Sequence, residues 1–113
     1  MATLLADGNE AMLEAAFRTG DFAPAEELLT TARTQAQQNQ DRAAEAAAID
    51  RLGMLMHLRA LGEDFALADT AAEEALFQQA LIIRREIGDL AGAAESLFGI
   101  DNLGRFLEFD RYQ

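Results

Sequence analysis

Ile49-Asp50-Arg51-Leu52-Gly53 recurs later in the chain as Ile100-Asp101-Asn102-Leu103-Gly104. A second pair, Asp21-Phe22-Ala23-Pro24-Ala25 and Asp64-Phe65-Ala66-Leu67-Ala68, alternates with the first. Two alternating patterns predict a repeated helical hairpin. Asp21 and Asp64 lie 43 positions apart, and Gly53 and Gly104 lie 51 apart. Periods of this size belong to stacked helix pairs. Small residues at Gly53, Gly104, Ala25 and Ala68 let the two helices of a hairpin approach closely, and Phe22 and Phe65 fill the turns.

Working outward from these signatures, five helices follow. Residues 2–19 read as the first, with Leu5, Met12, Leu13 and Ala16 on one face. Gly20-Asp21 ends it. Asp21 then caps a second helix reaching about Gln38, with Pro24 in its first turn, where a missing N–H costs little. Its inward residues are Ala25, Leu28, Leu29 and Ala32, and its polar tail, residues 35–40, is expected to fray. Asp41 caps a third helix over 42–61, with Ile49, Leu52, Met56 and Ala60 inward, and Gly62 closes it. A fourth starts near Asp64, or at Ala71 if Thr70-x-x-Glu73 acts as a capping box, and runs to Ile87. Its core stripe is Leu76, Ala80, Ile83 and Ile87. Gly88-Asp89 is the next break, and a fifth helix spans about 90–109. No stretch alternates long enough to predict a strand.

Composition sets the limits. The 113 residues make one domain, 1–113, half hydrophobic and about a quarter charged, which is a globular balance. Alanine dominates and the single proline is Pro24, so helix is favoured. The net charge is −11 and every cationic side chain is arginine. That argues against nucleic acid, where cations must replace counterions, and against anionic membrane surfaces. It suits a basic protein or peptide partner. There is no cysteine, hence no disulfide framework or thiolate site, and a cytoplasmic location fits. No apolar run reaches membrane length. Met1-Ala2-Thr3-Leu4-Leu5 lacks a basic n-region, so no signal peptide is expected.

These signatures resemble the tetratricopeptide repeat family, in its long-repeat branch. That family carries a Leu-Gly pair in its first helix, then an aromatic and an alanine opening the second. Leu52-Gly53 with Phe65-x-x-Ala68 matches, as does Leu103-Gly104 followed by Tyr112. Residues 80–89, Ala-Leu-Ile-Ile-Arg-Arg-Glu-Ile-Gly-Asp, look like the joint between repeats. The first helix lacks the Leu-Gly pair, and the linker before Phe65 is longer than usual. The resemblance implies an all-α fold, a five-helix antiparallel hairpin stack forming a right-handed solenoid of two and a half repeats. It also implies a concave groove lined from the first helix of each repeat: Asp50, Met54, His57 and Leu58, then Asp101, Asn102, Arg105 and Glu108. Asn102 matches an asparagine that related repeats use to hold a peptide backbone, and an amide can donate and accept at once.

The fifth helix presents two apolar faces. Leu97, Ile100, Leu103 and Leu107 form one; Phe98, Phe106 and Phe109 form the other. The second face awaits a helix this chain does not supply. Self-association, a partner helix and continuation of a longer array are the alternatives.

Little points to catalysis. His57, the one histidine, follows Asp50 by seven residues on a shared face, about 10 Å along the axis. That separation is too long for direct acid–base pairing. With no second His or any Cys, a metal site is not expected. No phosphate-binding glycine pattern is present, and no cofactor is expected. Met54 and Met56 read as packing. Glu26-Glu27 and Glu73-Glu74 read as solvated faces near helix N-termini. The expected function is a non-catalytic protein- or peptide-binding or scaffold module. The alternative is a small-molecule-binding protein or small enzyme with Asp50, His57 and Asp101 in a pocket.

Overall fold

A computed structural model describes residues 2–61, 70–94 and 96–97. Among them the chain is helical with no strand. Helix α1 (Ala2–Glu14) runs into a π-helical turn (Ala15–Thr19). Helices α2 (Ala23–Gln38), α3 (Arg42–Leu61) and α4 (Thr70–Glu86) follow. The described part of α5 covers residues 90–94 and 96–97. The expected start of α4 at Asp64, the closure at Gly62 and the remainder of the fifth helix lie outside the described residues.

Local chemistry explains the breaks. Gly20 adopts φ 71° and donates its N–H to Ala15 O at 2.8 Å. Such a left-handed cap suits glycine, which has no Cβ to clash. Asp21 Oδ1 accepts the Ala23 N–H at 3.2 Å and turns the chain into α2, whose first turn holds Pro24.

The α2–α3 and α4–α5 corners are built alike. In the first, Gln40 takes φ 55°, donating to Gln37 O, and Asp41 N–H reaches back to Ala36 O. In the second, Gly88 takes φ 76°, donating to Arg85 O, and Asp89 N–H reaches back to Arg84 O. Each aspartate then caps the helix that follows: Asp41 Oδ1 accepts from Ala44 N at 3.1 Å, and Asp89 Oδ1 from Gly92 N at 2.9 Å. One residue closes a helix and opens the next, satisfying orphan backbone groups on both sides. The expected fraying of residues 35–40 is corrected by this corner: Ala36 is buried, and Gln37 Nε2 donates to Glu45 Oε2 at 3.1 Å.

Helix α1 packs on α2, α2 on α3 and α3 on α4, with a smaller contact between α1 and α3. One core cluster joins Met12, Ala15, Phe22, Ala25, Leu29, Leu52 and Leu55. A second joins Ala46, Ile49, Ala80 and Ile83, and Leu76 packs against both. Each large aliphatic side chain fully buried here stabilises the fold by about 1.5–3 kcal/mol. Gly53 faces the Phe77 ring so closely that an added Cβ would lie 3.0 Å from it.

Two inward expectations differ from the structure. Leu13 is 44% exposed, because Gly8, Met12 and Ala15 supply the buried row of α1. Ile87 is 41% exposed, because α4 ends at Glu86 and the corner begins there. Phe77 and Leu81, by contrast, are buried, so α4 is covered over a wider arc than one stripe.

Helix α3 runs through the middle. Every side chain over residues 44–60 is buried or half-buried. Polar ties link it and its neighbours. Arg59 reaches Glu26 of α2 at 3.1 Å, Arg42 reaches Glu86 of α4, and Arg33 of α2 reaches Gln79 of α4 at 3.2 Å.

Candidate functional site

Helix α3 reaches solvent through half-buried side chains on more than one face, Met56, His57 and Arg59 among them, and one row of them forms a strip. Ala47, Arg51, Met54 and Leu58 are all half-buried. They follow one another by four, three and four residues, so they share one face of the helix. Met54 and Leu58 also pack against the first core cluster, which fixes the floor of the strip.

Asp50, expected in a groove, lies inside the stack instead. It is 7% exposed, and its Oδ2 sits 2.5 Å from Arg84 Nη1 of α4. Ser96 Oγ of α5 lies 3.2 Å from both carboxylate oxygens. Arg84 Nη1 also donates to Gly92 O at 2.6 Å. An added Cβ on Gly92 would collide with the Arg84 stem at 2.7 Å. Three helices therefore meet on one buried ion pair, which is tolerable only because both charges are matched and hydrogen-bonded.

His57 meets a partner that the sequence reading did not give it. Its Nδ1 lies 2.9 Å from Glu73 Oε1 across the α3–α4 interface. Glu73, read as part of a solvated face, is 3% exposed; Glu26, Glu27 and Glu74 do face solvent. Burial pushes the Glu73 carboxyl above its ordinary value of 4.5, and the neighbouring His57 only partly offsets this. A raised value means that the fold favours protonated Glu73. Its contribution to stability is therefore present below the ordinary carboxylate range and is lost as pH rises through the raised value.

His57→Ala removes this partner from the buried Glu73 carboxyl. The expected loss is about 1–3 kcal/mol at pH 7, and a clearly smaller one at pH 4, where Glu73 carries its own proton. Urea unfolding at the two pH values measures it, and an equal loss at both would show that the pair is not electrostatically engaged.

A hollow of about 560 Å³ lies where α1 ends, α2 begins and α3 ends. Its walls include Phe17, Phe22 and Leu58, with Asp21, Glu26 and Arg59 at the polar positions. Neither Asp50 nor His57 lines it. The expected groove residues Asp101, Asn102 and Arg105, and the association residues Phe98, Phe106 and Phe109, lie outside the described residues. Among the described residues no group of His, Cys, Asp and Glu could hold a metal, and no helix is long and apolar enough to cross a membrane. The sequence reading missed Glu73, Arg84, Ser96 and Phe17 as site residues; only Arg84, a charge directly after the apolar run 80–83, gave a signal. Comparison with known proteins finds no matching family model, no matching curated protein and no matching solved structure.

Proposed function

We propose that this chain is a non-catalytic protein- or peptide-binding module, a tetratricopeptide-like right-handed stack of two and a half helical hairpins. Its concave face comes from α1, α3 and α5, and its natural setting is the cytoplasm. The half-buried strip Ala47–Arg51–Met54–Leu58 carries this reading. It is a rigid floor, apolar at three of four positions, on the most enclosed helix of the fold. The like-built corners before α3 and before α5 support the repeat, as does the direct contact of α1 with α3. In the sequence echo Asn102 is the counterpart of Arg51 and Arg105 that of Met54, whereas Asp101 is the counterpart of the enclosed Asp50.

A preformed face gives shape, and the charge of −11 selects basic or amphipathic segments. Self-association or a partner helix at the α4–α5 end belongs to the same proposal, supported by exposed Ile82, Leu90 and Leu97. The pocket reading built on Asp50, His57 and Asp101 is weaker, because Asp50 is already held by Arg84 and Ser96. Fold analogy supplies the frame here, and the strip supplies the site.

The test is an NMR titration of the isotope-labelled chain with an arginine-rich amphipathic peptide. Saturable shifts are expected at Ala47, Arg51 and Met54. Ala47→Arg, which places a second cation on the strip, is expected to weaken binding at least about tenfold, or 1.4 kcal/mol, with helicity intact. No saturable shift on the strip, or stabilisation by small molecules with shifts centred on His57, overturns the reading.

A further inference from the structure

The hollow at the end of α3 is a second binding feature, and its construction is specific. In the π-helical turn the Gly20 N–H bonds Ala15 O, five residues back, at 2.8 Å. A π turn adds a residue to the helix and re-aims the side chains around it, and such turns are frequent at functional sites. Two aromatics, one within it and one just after it, have opposite fates. Phe22 is 8% exposed and closes the core, whereas Phe17 is 81% exposed and walls the hollow. One exposed aromatic on a surface needs no explanation. Here it lines, together with Leu58 of α3, a cavity of about 560 Å³, a volume in the range of ligand sites.

The charges are arranged for a cation. Asp21 lines this hollow and also a smaller one of about 270 Å³ beside it, which Glu14 lines as well. The one cation among the described residues of the wall, Arg59, is held by Glu26 at 3.1 Å, so its charge is matched. Asp21 thus stands between two apolar hollows on a chain of charge −11.

We propose that this hollow receives an arginine side chain of a protein partner. The aliphatic stem lies on Phe22 and Leu58, as long cationic side chains cover apolar surface while keeping their charge wet. The guanidinium stacks on the open face of Phe17 and meets the Asp21 carboxylate, combining cation–π attraction with a charge-assisted hydrogen bond. The hollow adjoins the strip at Leu58, but its walls are the α1–α2 turn, so it stands whether or not the strip binds a peptide.

The probe is a blocked hexapeptide of alanine and glycine with a central arginine-leucine pair, against a twin with glutamine replacing the arginine. Labelled protein is expected to show saturable amide shifts at Gly20, Ala23 and Leu58. The glutamine twin, Phe17→Ser and Asp21→Asn should each weaken binding at least about fivefold. Phe17 and Asp21 are exposed, so circular dichroism should be unchanged in both variants. Equal binding of the twin peptide, or full affinity in both variants, overturns the proposal. Shifts confined to Ala47, Arg51 and Met54 overturn the hollow and leave the strip standing. Shifts confined to the hollow do the reverse, and no saturable shift anywhere removes both.

Discussion

Asp50→Ala is expected to destabilise the protein by about 3–5 kcal/mol, the cost of leaving one partner of a buried ion pair uncompensated. A domain of this size has roughly 5–15 kcal/mol in total, so the variant would be close to unfolding near body temperature. The loss should be this large because three helices share the carboxylate. Arg84 would keep its charge at 6% exposure, and Ser96 would lose an acceptor for its hydroxyl. The double variant Asp50→Leu with Arg84→Met removes both charges at similar volume. It should recover most of the loss or exceed the parent, since apolar replacements of buried pairs are often neutral or better. Urea unfolding of Asp50→Leu, Arg84→Met and the double provides the cycle. If the double is as unstable as Asp50→Ala, the network matters for something other than its charges.

Phe77→Ala should cost about 3–5 kcal/mol, as for other buried aromatics. The ring is 4% exposed and lies against the backbone of α3 at Gly53. Its partner should therefore respond with opposite signs in two backgrounds. In the parent, Gly53→Ala sets a methyl about 3.0 Å from the ring and should lower stability, despite the better helix propensity of alanine. In the Phe77→Ala background the methyl enters the vacated space, and the propensity gain of about 0.8–1.0 kcal/mol should appear as partial rescue. Thermal unfolding of the four proteins decides it. Additive effects would show that Gly53 is not there to admit the ring.

The two outcomes bear on what a sequence can disclose. Helix ends were legible because they depend on local backbone chemistry: Gly20, Pro24, Asp41 and the Gly88-Asp89 break announce themselves within a few residues. The all-helical class followed from the same signals. The small residue at Gly53 was readable as a close approach, though not the identity of Phe77 as the group that comes close. Polar burial was harder. Asp50 with Arg84 and Ser96, and His57 with Glu73, are pairings between helices, and no window along the chain contains both members. Helix α3 also carries a weak one-sided pattern because it is covered from several directions. Its half-buried strip is therefore a residue of packing, not of periodicity. Phe17 was not singled out either, because an aromatic lying off the buried row of α1 marks a site only when a hollow from other helices is seen beside it.

The alanines around the middle helix have a further bearing on the acidic surface. Ala46, Ala48, Ala60 and Ala80 are all buried, and alanine has almost no rotamer freedom to lose on ordering, whereas long side chains forfeit up to about 2 kcal/mol each. An interior assembled from methyl groups is therefore entropically inexpensive. That leeway lets the fold sustain the mutual repulsion of 20 carboxylates against 9 guanidiniums, a burden that works against any compact state.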